Sequence, residues 1–367
     1  MPTPPQVFVD VLAQRLADYS GRDYADVRAT VMYAGDELPV RIADLMLADA
    51  RDHAADESNP QQARNQLEYE SARRRLIEVV QGQVRPEVGD GIRTEVQARQ
   101  HARAVAERIF ALAVDVVEPI AVDIGVPQAL ERQRETRIAA ALGTLRGLPA
   151  ARMLAPLTLR EWLKDADRLT DPKLDDGARD RGGRLLANDI ELRRMVAAGY
   201  QVYESKANPR SPDETIRDGV AIAWSNRTRA EFTEALGVAS VLGPPQTPER
   251  LAPRMVTGLV QSIAERTGTS EQELLERLCT AGGEHLRGED QWRTVSRLLV
   301  PDESLQQADE VEPSHARQLI TDALRTEFSR QYGDPDRSPE WSPEEGGARI
   351  TTAGAELAAS LGIGGRG

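Results

Sequence analysis

Two stretches far apart in the chain carry the same helix–glycine–helix pattern, and no other feature narrows the fold as much. Residues Leu12–Gly35 align without a gap on Leu259–Gly282. Leu12 falls on Leu259, Leu16 on Ile263, Ala17 on Ala264, Gly21 on Gly268, Val27 on Leu274, Val31 on Leu278 and Gly35 on Gly282. The aliphatic residues recur at helical spacing on both sides of the glycine. The glycine suits a left-handed turn that closes one helix before the next begins. Each copy therefore reads as a helical hairpin.

Composition extends this to the whole chain. Only 4% of the 367 residues are aromatic, while 40% are hydrophobic. Cores built from Ala, Leu, Val and Ile in a chain rich in Arg and Glu favour helices over sheets. So few aromatics also argue against helical enzymes that stabilise carbocations with aromatic walls. The expected class is all-α, made of helical hairpins and bundles, with at most one or two short strands. The length suggests two or three domains. Boundaries expected within 147–183 and at 243–247 divide the chain into 1–147, 148–242 and 243–332, with a Pro/Gly-rich tail at 333–367.

Several helices are legible from periodicity and caps, among them 38–57, 60–82, 91–113, 128–146 and 313–331. Ser211-Pro212-Asp213-Glu214 is a capping box with proline at the first helical position, opening a helix to about 237. Asp115–Pro127 holds two prolines and reads as a short strand or a kinked connector. Gly199–Lys206 is the most strand-like segment.

The net charge is −13, which on average repels nucleic acid and anionic membranes. The single cysteine, Cys279, excludes an internal disulfide and reads as a buried, inert thiol on a helix face. The opening MPTPPQVFVDVL lacks the pattern of a signal peptide, and no apolar run is long enough for a bilayer. A cytoplasmic location and no membrane partner are expected. Three lysines, Lys164, Lys173 and Lys206, stand among 46 basic residues, an arginine bias typical of GC-rich prokaryotic coding.

Three constellations carry chemistry. The second repeat copy, from Ala264 through Gly268 to Leu274, resembles the helix-turn-helix of DNA-binding proteins. The resemblance would put Thr269, Ser270, Gln272 and Arg277 toward bases or phosphates. Yet Glu271, Glu273 and Glu276 share that helix with Arg277, a poor balance for phosphates. Arg349–Gly362 weakly resembles a winged-helix ending, with the Gly/Pro-rich stretch before it as the wing.

Asp49, Asp52, His53 and Asp56 occupy i, i+3, i+4 and i+7 of an expected helix, a spacing that can present ligands to a divalent metal. Glu204 and Lys206, with Asp189 upstream, resemble the minimal pattern of PD-(D/E)xK nucleases, in which carboxylates hold a metal and lysine steadies water. No phosphate-cradling glycine loop, nucleophile elbow or zinc spacing is present. The expected function is therefore a non-enzymatic interaction or scaffold protein working through a protein partner or self-association, with no cofactor. DNA-binding regulation is the first alternative and a metal-dependent nuclease or hydrolase the last.

Overall fold

The computed structural model describes residues 5–56, 58–84, 95–201, 211–243, 251–281, 288–306, 311–333 and 341–363. Among them the chain is all-α: sixteen α-helices and two short 3-10 turns, with no strand. Contacts divide it into two compact units, Met1–Glu135 and Thr136–Gly367, each with its own hydrophobic core.

The N-terminal unit opens with the first repeat hairpin, α1 (Gln6–Ser20) and α2 (Tyr24–Tyr33). Gly21, at φ 65°, closes α1 in the left-handed conformation, and the Asp23 carboxylate accepts the backbone N–H of Ala25 and Asp26 to start α2. Then come α3 (Leu38–Met46), α4 (Ala48–Ala54), α5 (Gln62–Val84) and α6 (Glu95–Ile124). Helix α1 packs on α2, α3 and α6, and the helices expected at 60–82 and 91–113 form as α5 and the longer α6, which pack on each other. Leu12, Leu16, Ile42, Leu76 and Ile109 are fully enclosed. Each aliphatic side chain so buried contributes about 2 kcal/mol of transfer free energy before the entropy of ordering is subtracted.

Two expectations are corrected here. The single helix at 38–57 is interrupted at Leu47, whose φ −101° and ψ 10° leave the helical basin, so α3 and α4 are separate. Asp115–Pro127 is neither strand nor connector over most of its length. Helix α6 runs through Pro119 to Ile124, because the buried residues Val116, Val117 and Ala121 continue its apolar stripe while Pro119 sits on the exposed side. Gly125 (φ 90°) then makes the turn into α7 (Pro127–Gly143), within which the two units divide.

The C-terminal unit contains α8 (Pro156–Leu169), α9 (Asp176–Ala197), α10 (Pro212–Leu236), α11 (Leu251–Thr267), α12 (Glu271–Thr280), α13 (Gly288–Leu299), α14 (Asp302–Leu305), α15 (Pro313–Gly333) and α16 (Pro343–Ser360). Its axis is α10, buried on all sides from Thr215 to Ser225 and packed on α9, α11, α12, α13 and α15. The capping box forms as expected. Ser211 Oγ accepts the Glu214 N–H at 3.3 Å, and the Glu214 carboxylate accepts the Ser211 N–H at 2.9 Å. Five of the largest aromatic side chains, Trp162, Trp224, Phe232, Trp292 and Phe328, are buried in this core, where Trp292 and Phe328 meet edge to face at 5.1 Å.

Helix α16 crosses α11 at near-backbone contact. A Cβ on Gly258 would overlap the Glu344 carbonyl, and one on Gly347 would overlap the Met255 carbonyl. This continuous helix replaces the winged ending suggested for Arg349–Gly362: the segment through Ser360 is helical, and no strand precedes it among the described residues.

Candidate functional site

The second repeat hairpin, α11 and α12, repeats the first in detail. Gly268, at φ 70°, ends α11, and Ser270 Oγ accepts the Glu273 N–H at 3.2 Å to start α12. Leu274 and Leu278 are enclosed like Val27 and Val31 of α2. Helix α12 also buries a second row, Leu275 and Cys279, for which it has α10 and α13 as neighbours. Burial in apolar surroundings pushes the Cys279 thiol far up, so it stays protonated and inert.

The outer side of α12 is exposed and borders a cleft. With α10 and the end of α7 it walls a cleft of about 460 Å3. That volume lies in the range of ligand pockets. Trp224 and Thr228 of α10 and Leu148 form its buried part, whereas Gln272, Glu273, Glu276, Arg277 and Thr280 line it from α12. Glu231 and Arg146 stand at its exposed margin. The two walls meet closely where a Cβ on Gly147, itself at φ 84°, would lie 3.6 Å from Thr280 Cγ2.

Polar partners in the cleft are unevenly distributed. Arg277 closes onto Glu273 at 2.6 Å. Glu276 receives only the amide of Gln272, at 3.2 Å, and has no cation within ion-pair distance among the described residues. Glu231 has no hydrogen-bonded cation there either. Trp224 is 2% exposed, and its indole N–H donates to nothing among the described residues.

Behind this wall lies a buried charge. Arg194 of α9 is fully enclosed, 3.3 Å from Glu191 and donating at 2.7 Å to Thr228 Oγ1. Its guanidinium carbon lies 5.3 Å from the Trp224 ring centre and 5.0 Å from that of Phe232, within cation–π range. Burial pushes the guanidinium pKa down to about 10, with Glu191 opposing the shift, so it remains a cation at neutral pH. Thr228 passes the contact on by donating to the Trp224 carbonyl at 2.9 Å. The cleft wall is thus held by an ion pair, a hydroxyl and two rings.

Sequence reasoning singled out Gln272 and Arg277, and both line the cleft. Of the other two helix-turn-helix candidates, Ser270 is consumed in capping α12, and Thr269 donates its N–H to Thr267 at 3.3 Å in the turn. Trp224, Thr228, Glu231, Glu276, Arg146 and Arg194 were not singled out. A rare tryptophan directly after the apolar run Val220–Ala223, and an arginine inside the apolar stripe Leu186–Ile190–Met195, are the available signals.

The metal-ligand candidates do not share one helical face. Helix α4 ends at Ala54, so Asp56 lies beyond its cap, where its carboxylate accepts from Ser58 N at 2.9 Å and Ser58 Oγ at 2.6 Å. Those bonds hold its pKa below the usual value. Asp52 pairs with Arg51 at 2.9 Å. Asp49 lines a separate pocket of about 20 Å3 in the N-terminal unit, room for about one water. Asp49, Asp52 and His53 lie on α4, and a Cβ on Gly125 would lie 3.8 Å from His53 Nε2. Among the described residues, no group of three or more His, Cys, Asp or Glu gathers closely enough to hold a metal ion.

Of the nuclease-like set, Asp189 accepts Trp162 Nε1–H at 2.7 Å and pairs with Arg193 at 3.1 Å, a structural role on α9. Glu204 and Lys206 lie outside the described residues, and Gly199–Gln201, the described start of the expected strand, is irregular. No helix among the described residues is long and apolar enough to cross a membrane. In comparisons with family models, curated proteins and solved structures, nothing matches this chain.

Proposed function

We propose that the chain is a non-enzymatic binding protein acting through protein–protein contacts, with the cleft between α10 and α12 as its contact. The observation that carries this is the cleft itself: about 460 Å3 walled by the outer side of the second repeat hairpin, where a DNA-reading protein would present a free basic helix. Two features support it. The lining combines a buried aromatic and aliphatic part with exposed polar groups, which is how contact anchors are built. Its polar lining is made of threonine hydroxyls, carboxylates, an amide and guanidiniums, groups that hydrogen-bond a protein surface. The DNA-reading alternative draws no support from α12, where Glu271, Glu273 and Glu276 outnumber Arg277 and that arginine is already paired.

The test compares affinity capture from the native host by the wild type, by Glu231→Lys/Glu276→Lys, and by Glu356→Lys on the exposed side of α16. The proposal expects one or more proteins retained by the wild type and Glu356→Lys and lost from the double variant. Retention of the same proteins by all three would overturn it.

A further inference from the structure

We draw no further inference here: the strongest candidate, the outward side of α9 where Leu185 and Leu192 stand 70% and 41% exposed, is an unpartnered apolar face, and nothing in the structure shows what covers it.

Discussion

The two helical hairpins share a plan and differ in what covers them. In both, a glycine near φ 65–70° closes the first helix and a capping side chain two residues later opens the second. In both, the same aliphatic positions are enclosed: Leu12 and Leu259, Leu16 and Ile263, Val27 and Leu274, Val31 and Leu278. The outer rows diverge. Helix α2 places Arg28 and Met32 where α12 places Leu275 and Cys279. Arg28 reaches Asp10 at 2.7 Å and stays half-exposed, whereas Leu275 and Cys279 are buried. The first helices diverge as well. Val11 of α1 corresponds to Gly258 of α11, and only the latter meets α16 at backbone contact. A hairpin of this kind is therefore a packing unit whose inner row defines it and whose outer row records how many neighbours it has.

Exchanging outer-row residues should break the symmetry most sharply. Leu275→Arg puts an unpaired guanidinium where α10 and α13 pack and should destabilise the C-terminal unit by about 3–5 kcal/mol. Arg28→Leu, the reverse exchange, loses only a partly exposed ion pair and should change stability by about 0–1 kcal/mol. Urea unfolding of the two variants measures the gap; equal losses would show that the two outer rows are equally exposed. Next comes Gly258→Val, the residue of the first copy. Its methyls must displace the Glu344 backbone, at a cost of about 3 kcal/mol if α16 shifts as a body. Val11→Gly has no such clash and should cost about 1 kcal/mol, mostly from the lost packing of a partly buried side chain and only in small part from helix propensity.

The shared features should behave alike in both copies. Neither Gly21 nor Gly268 has anything within 4 Å of an added Cβ, so alanine there meets only the strain of the left-handed backbone. That strain is about 1–2 kcal/mol in each copy. Asp23→Ala and Ser270→Ala should each cost about 1 kcal/mol by removing the cap. A large difference within either pair, read as the midpoint shift of the affected unit, would mean that the turns are not equivalent despite their matching dihedrals.

How far the sequence reveals this molecule depends on whether the determining residues are neighbours in the chain. The hairpins, the Ser211–Glu214 capping box and most helix positions follow from signals a few residues apart, so they are legible. The interruption at Leu47 is not, because no Gly or Pro marks it and Leu47 is itself buried. Pro119 misleads in the other direction: an exposed proline inside a strong apolar stripe bends the usual rule without ending α6. The cleft is hidden for a deeper reason. Its residues come from the end of α7, from α10 and from α12, and only the α12 residues sit in a recognisable motif. Arg194 was invisible because amphipathic patterning assigns arginine to solvent, whereas here Glu191, Thr228 and two rings replace water.

An effect as small as that of Arg28→Leu belongs to the covering of the second hairpin. Arg254 of α11 donates to Glu344 of α16 through Nε at 2.8 Å and Nη2 at 3.1 Å, a bidentate pair with no counterpart at Val7 of α1. The hydrogen bond from Arg254, more than its charge, holds the Glu344 carboxyl below its usual pKa. A carboxylate whose pKa is depressed by folding adds stability above its unfolded value, and loses that contribution as pH falls through the folded value. Both side chains are over a third exposed, so the contribution is about 0.2–1 kcal/mol. Glu344→Gln should thus be slightly less stable than wild type at pH 7 and converge with it as pH drops below the ordinary carboxylate range. Paired denaturation curves at pH 7 and pH 3 check this. A gap that persisted at pH 3 would mean that the glutamine disturbs the Gly258 crossing itself, because protonation removes the charge of the pair but leaves the packing of α16 on α11 in place.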